Sequence, residues 1–88
     1  MQKYKVGFTE KAISDIDDIP DDDFERILKA CKRLEDNPLP DGKHIKKLKG
    51  YKDLYRLRIG DYRAVFQWKG NDVTIIRVLT KQDFKKKY

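Results

Sequence analysis

The sequence has few of the residue types from which cofactor or disulfide sites are built. It contains one cysteine and one histidine among 88 residues, which excludes an intramolecular disulfide framework and a Cys/His zinc site. It also lacks the glycine patterns of a P-loop or a dinucleotide-binding turn. We therefore expect no metal and no nucleotide cofactor.

Long hydrophobic stretches are missing as well. No apolar run approaches the roughly 20 residues that a membrane-spanning helix needs, and the first residues, MQKYKVGF, lack the apolar stretch of a signal peptide. These absences predict a soluble, cytoplasmic protein with no membrane partner. The chain length predicts a single domain over residues 1–88 with one modest core.

Charge is abundant and unevenly distributed. The net charge is +6, but residues 1–41 hold 7 Lys/Arg against 11 Asp/Glu, whereas residues 42–88 hold 14 against 4. A concentrated positive field favours phosphate backbones and steers their approach. A solvated surface that only aids solubility is the alternative. The arginines of the basic half alternate strictly with apolar residues, as on one face of a strand, which favours nucleic acid as the partner.

Two helices are expected after a short first strand. Apolar residues alternate at positions 4, 6 and 8, which is typical of a half-buried strand. Thr9 is a suitable N-cap for a helix that Pro20 ends, and a second helix follows as far as Asn37. The apolar stripes of the two helices are Ala12, Ile13, Ile16, Ile19 and Phe24, Ile27, Leu28, Cys31, Leu34. The six aspartates between positions 15 and 23 fit no cation loop, so we interpret them as a solvated surface.

The second half of the chain predicts a loop, a hairpin and a last strand. Residues 37–53 are rich in basic residues, proline and glycine, and they form a loop with room for a short edge strand at residues 45–48. A hairpin covers residues 54–68, a strand apolar on both faces covers residues 73–79, and the tail forms at most a frayed helical turn. We expect an α+β fold in β-α-α-β-β-β order, with two N-terminal helices packed on one face of a small antiparallel sheet of about four strands.

The predicted hairpin directs three arginines to one face of the sheet. Its two-residue turn at Gly60 places Arg58 opposite Arg63 and Arg56 opposite Val65. Like charges directly opposite each other destabilise a sheet, so the pair suggests that an anion normally neutralises them. RNA is a polyanion that carries its own nucleophile, the 2′-hydroxyl. Arginine can stabilise the transition-state phosphate, and lysine or tyrosine would transfer the protons.

The stretch LYRLRIGDYRAVFQWKGNDVTIIRVL, preceded by IKKLKG and two amphipathic helices, resembles the RelE/ParE superfamily of bacterial and archaeal toxins, most closely its RelE branch. The resemblance implies a single toxin domain of a type II toxin-antitoxin system. It also implies cleavage of messenger RNA in the ribosomal A site without a metal.

The resemblance implies catalytic roles for five residues. Arg56 and Arg58 match the two basic residues of the family's strand after KLKG, and Arg63 matches the arginine that stabilises the transition-state phosphate. Lys81 takes the place of an arginine after the last strand. Tyr88 is the candidate for the family's aromatic residue.

The C-terminal segment TKQDFKKKY departs from the family pattern. Thr80 replaces the histidine that some members carry, and Lys85 stands where many have a tyrosine. The general base and general acid remain open among Lys81, Tyr88 and a loop lysine, Lys47 or Lys49. Residues expected to contact RNA or the ribosome are Lys46, Lys47, Lys49, Lys52, Lys85, Lys86 and Lys87.

The resemblance also implies an antitoxin that covers the basic site, with the ribosome and mRNA as targets and operator DNA reached only through the antitoxin. A disordered acidic ligand that orders on binding would suit the basic half. Two other functions stay open: a catalytically weakened or binding-only relative, and a gyrase inhibitor of the ParE kind. The arginine face favours the nuclease.

Overall fold

The computed structural model describes residues 3–88, which form a five-stranded mixed sheet with helices on one face. The strands lie in the order β1-β5-β4-β3-β2. Along the chain the elements are β1 (Lys5–Phe8), α1 (Glu10–Asp17), α2 (Asp21–Lys32), a 3₁₀ turn (Arg33–Glu35), β2 (Ile45–Lys47), β3 (Leu54–Ile59), β4 (Tyr62–Lys69), β5 (Asp72–Thr80) and α3 (Lys81–Lys87).

The two N-terminal helices form as the sequence predicts. The Thr9 hydroxyl accepts a hydrogen bond from the Ala12 amide and so caps α1. Three aspartates occupy the first turn of α2, where the helix dipole favours negative charge. The prediction was wrong for Ile13 and Leu28, which are 50% and 38% exposed. Each lies about 100° around its helix from a buried neighbour, at the margin of the stripe.

The hydrophobic core lies between α1, α2 and the sheet. Its largest fully buried side chains are Phe66, Ile27, Leu34 and Ile75, and Tyr55, Tyr62 and Trp68 pack against this cluster. The face of the hairpin that carries Tyr55, Leu57 and Phe66 is therefore core. Cys31 is 1% exposed and belongs to the same cluster.

The sheet differs from the prediction in strand count and direction. It has five strands, because residues 45–47 form the edge strand for which the loop left room. It is mixed rather than antiparallel, because β1 pairs parallel to β5, with Val6 beside Val73. Alternation of apolar residues reveals that a segment is a strand but not the direction of its partner. The last strand, β5, lies inside the sheet between β1 and β4, which agrees with its apolar residues on both faces.

The C-terminal segment forms a helix of seven residues rather than a frayed turn. The Thr80 hydroxyl caps it by accepting from the Asp83 amide at 3.1 Å. The helix contacts β4 and β5. No helix within residues 3–88 combines the length and the apolar character that crossing a bilayer requires.

Candidate functional site

The β3-β4 hairpin brings Arg56, Arg58 and Arg63 together on the face of the sheet opposite α1 and α2. The observed register confirms the predicted one: Arg58 lies opposite Arg63, and Arg56 lies opposite Val65. The turn is possible because Gly60 adopts a positive φ of 57°. We call these three side chains the arginine cluster.

Arg63 is the most constrained member of the arginine cluster. It is 9% exposed. Its Nη1 donates to the carbonyl oxygens of Gly60 at 2.7 Å and Tyr62 at 2.8 Å. The backbone of the turn thus fixes the guanidinium group before any ligand is present.

The arginine cluster is electrostatically strained. Burial lowers the pKa of Arg56, and the charges of Arg63 and Arg58 lower it further. Burial also lowers the pKa of Arg63, followed by the charge of Arg58, while Asp61 opposes the shift. Among residues 3–88, no carboxylate forms a salt bridge with any of the three. An anion that entered this face would remove the repulsion.

The hairpin turn that holds Arg63 is supported from α2 and α3. Asp23 accepts from Arg26 at 3.0 Å and from the Tyr62 hydroxyl at 3.3 Å, and the Lys81 amide donates to the Asp61 carbonyl at 2.7 Å. The Arg26 guanidinium would lie 3.1 Å from a Cβ at Gly60, so α2 packs closely on the turn. These contacts join distant segments, and no local sequence pattern predicts them.

Lys81 lines a cleft of about 440 Å³ beside this turn. The cleft also contains Asp23, Arg26 and Asp61, so the lysine has carboxylates nearby. Tyr88 stacks on Phe84 with ring centroids 5.5 Å apart. Burial raises the pKa of the Tyr88 hydroxyl, although the charge of Arg77 opposes this shift.

The predicted lysines fall into two groups along the chain, and Lys46 and Lys47 lie on opposite faces of the sheet. Lys46 lies opposite Arg56, and Lys47 lies opposite Tyr55. The lysines Lys46, Lys47, Lys49, Lys52, Lys85, Lys86 and Lys87 are all exposed, the first four in or after β2 and the last three in the final turn of α3.

The loop before β2 is ordered by a single carboxylate. Asp41 accepts hydrogen bonds from the amides of Lys43, His44 and Ile45 at 2.7–2.9 Å. The hydrogen bonds from the amides of Ile45 and Lys43 hold the pKa of Asp41 well below its usual value, and the hydrogen bond from the His44 amide adds to the effect. His44 is exposed, and its Nδ1 lies 3.5 Å from Asp41. Within residues 3–88, no three His, Cys, Asp or Glu side chains are grouped so as to hold a metal ion.

A half-buried ion pair fixes α1 to β5. Asp15 accepts from Arg77 Nε at 2.8 Å, from Arg77 Nη2 at 3.2 Å and from the Val78 amide at 3.0 Å. The pair lies where β5 carries an irregularity opposite Val65 and Phe66, which changes the register with β4. The prediction of a solvated surface for the six aspartates is wrong for Asp15, whose side chain is only 16% exposed because it pairs with Arg77.

Comparisons with known proteins agree with this architecture. The family model described as the ParE toxin of the type II toxin-antitoxin system parDE matches residues 6–83. Toxin RelE3 of Methanocaldococcus jannaschii is 34% identical over 80 residues, which cover 89% of this chain and 91% of that protein. The archaeal RelE-RelB complex from Pyrococcus horikoshii contains a chain with 30% identity and a TM-score of 0.75, covering 90% of this chain and 96% of that one. The E. coli RelBE toxin-antitoxin complex gives 26% identity and a TM-score of 0.74, with coverage of 88% and 95%.

Proposed function

The chain belongs to the RelE/ParE superfamily of type II toxin-antitoxin toxins, in its RelE-like branch, and from this premise we propose that it is a metal-independent, ribosome-dependent mRNA endonuclease. It acts in the cytoplasm as a single toxin domain over residues 1–88. The observation that carries the proposal is the arginine cluster, in which Arg63 is fixed by two backbone carbonyls and has no carboxylate partner.

In the proposed reaction the RNA supplies the nucleophile. The 2′-oxygen loses its proton to a base and attacks the adjacent phosphorus, and the bond to the 5′-oxygen breaks as that oxygen takes up a proton. Arg63 stabilises the negative charge on the pentacoordinate phosphorane, and Arg56 and Arg58 hold the flanking phosphates. Because Arg63 is already fixed by the turn, little reorganisation accompanies the development of charge.

The proton transfers fall to Lys81, Tyr88 or a loop lysine, Lys47 or Lys49. A tyrosine hydroxyl is protonated at neutral pH, and burial raises the pKa of Tyr88 further above its usual value, which suits a general acid better than a general base. The loop lysines have the simpler role of contacting ribosomal RNA phosphates, together with Lys46, Lys52 and the lysines of α3.

Primer extension on a reporter message tests the proposal. Expression of the chain is induced briefly in translating cells and in cells whose translation is blocked. The Arg63→Ala variant is expressed in parallel under the same conditions. Cuts in phase with codons that require both translation and Arg63 are the expected result. Growth arrest by a folded Arg63→Ala protein would contradict it.

A binding-only relative is the second candidate, and the position of Lys81 favours it. This lysine lines a cleft with two carboxylates, and lysine cannot form the two-pronged contact of the arginine it replaces. This candidate predicts salt-sensitive RNA or ribosome binding with intact message. A ParE-like gyrase inhibitor predicts DNA damage signalling with intact message. Primer extension therefore separates the nuclease from both alternatives, and a DNA-damage reporter in the same cells separates the gyrase inhibitor from the binding-only relative.

The proposed protein partner is a RelB-type antitoxin. Two of the similar structures are toxins solved with RelB. An acidic, partly disordered segment would neutralise the arginine cluster and become ordered as it binds. Contact with operator DNA would come through the antitoxin. Co-expression of a candidate antitoxin should abolish message cleavage and give a complex that is tight at low salt and weakens as the salt concentration rises.

A further inference from the structure

Tyr51, in the turn between β2 and β3, is the one exposed aromatic side chain within residues 3–88. Its exposed fraction is 40%, whereas every other aromatic ring in that range is buried or half-buried. A single exposed ring is ordinary on a protein surface. Its neighbours, however, give Tyr51 a defined position and a basic environment.

The ring of Tyr51 is anchored by α3. Its centroid lies 5.4 Å from that of Tyr88, at an interplanar angle of 57°. Tyr88 is itself stacked on Phe84, and its amide donates to the Phe84 carbonyl at 2.8 Å. A ring held in this way loses little conformational entropy when a ligand stacks on it.

The surroundings of Tyr51 are cationic. Lys47 and Lys49 line one shallow groove with Tyr51, and no acidic residue occurs between Asp41 and Asp53. An exposed ring between cations combines a stacking surface with phosphate-binding groups, which is the pattern of a site for single-stranded nucleic acid.

We propose that Tyr51, Lys47 and Lys49 form a subsite for one unpaired RNA base and its phosphate, separate from the arginine cluster. The inference deepens the proposed function, and it rests on RNA being the substrate. The base stacks on the free side of the Tyr51 ring, and the lysines contact the phosphate. A base inside a duplex has no free face, so the subsite selects single strands.

The test measures binding of a short, unstructured RNA with a fluorescent label by anisotropy at low salt. Tyr51→Phe keeps the ring and should bind like the unmodified chain. Tyr51→Leu should weaken binding about tenfold without changing the salt dependence, whereas Lys49→Ala should lower the salt dependence. Leu39→Ser, at another exposed apolar position, is the control and should have no effect.

A strand of the same length and charge that lacks bases separates stacking from a purely structural role of Tyr51. The proposal expects Tyr51→Leu and the unmodified chain to bind this strand equally. Equal weakening for both strands would mean that the ring only holds α3 in place, and absence of RNA binding by the unmodified chain would also overturn the subsite.

Message cleavage is measured in parallel. If Tyr51→Leu changes neither RNA binding nor message cleavage, the subsite is rejected and the nuclease is kept. If RNA binding depends on the bases but no message is cleaved, the subsite is kept and the nuclease is rejected.

Discussion

Arg58 and Arg63 lie directly opposite each other on β3 and β4. Facing like charges cost a sheet about 0.2–1 kcal/mol, so the free protein tolerates a local instability at this point. An arrangement of this kind is useful only when a ligand supplies the missing negative charge.

Removing one charge of the pair should stabilise the free protein. Arg58→Gln is expected to raise the melting temperature by a few degrees at low salt, because the repulsion with Arg63 disappears. Scanning calorimetry measures the shift. Lys29→Gln on α2 changes the net charge equally, far from the pair in sequence, and should give a smaller effect. A less stable Arg58→Gln protein would contradict the prediction.

A bound phosphate ion should relieve the repulsion between Arg58 and Arg63 reversibly, as Arg58→Gln does permanently. At equal ionic strength, phosphate is expected to raise the melting temperature more than chloride does, because it binds the folded arginine cluster. The excess should shrink in Arg58→Gln and persist in Lys29→Gln. An identical response of all three proteins would show that the cluster does not bind anions.

Replacing Arg63 should affect the proposed reaction more than the fold. Arg63→Ala is expected to lower message cleavage about 100- to 1000-fold, as does removal of an oxyanion-stabilising donor. Arg63→Lys should give an intermediate rate, since lysine keeps the charge but not the forked geometry. Codon-phased cleavage is measured by primer extension, and circular dichroism checks folding. Lys29→Ala should cleave normally.

Asp15 should make stability depend on pH in the acid range. Burial raises the pKa of Asp15, but the hydrogen bonds from Arg77 and Val78 outweigh it and hold the pKa below its usual 3.8. The ionised Asp15 therefore stabilises the folded state fully above pH 3.8. This stabilisation is lost as the pH falls through the lower pKa that Asp15 has in the folded state.

The Asp15→Asn variant tests this contribution. It leaves Arg77 without its partner and should lower the free energy of unfolding by about 2–3 kcal/mol at neutral pH. The difference from the unmodified chain should shrink below pH 4. Urea unfolding at several pH values measures both effects. A difference that stayed constant from pH 7 to pH 3 would show that ionised Asp15 is not the cause.

Cys31 should be chemically inert in the folded protein. Burial raises the pKa of its thiol to about 12, so almost no reactive thiolate is present at pH 8. A thiol reagent is expected to label the chain only after urea unfolds it. Rapid labelling under native conditions would reveal opening of the core between α2 and the sheet.

The sequence predicts the parts of this structure that depend on short-range rules. A two-residue turn fixes which residues face each other, so the pairing of Arg58 with Arg63 follows from counting. Likewise, Thr9 and the aspartates after Pro20 mark the helix starts because capping is local.

Contacts between distant segments could not be predicted in this way. The hydrogen bond from Tyr62 to Asp23 spans 39 positions, and the pairing of Arg77 with Asp15 spans 62. Both contacts depend on how α1 and α2 lie across the sheet, and no local sequence pattern predicts that arrangement. The contact of Tyr51 with Tyr88 depends in the same way on the tail folding as a helix.

The parallel pairing of β1 with β5 also determines the stage of synthesis at which the sheet can be completed. Lys5 pairs with Asp72, so β1, the first strand to be synthesised, cannot pair until β5, the last strand, has been synthesised. The arginine-bearing strands leave the ribosome before β5, whose Leu79 lies opposite Arg63. Pairing over such a separation forms late, and a chain whose translation stops before β5 lacks the strand that joins β1 to β4.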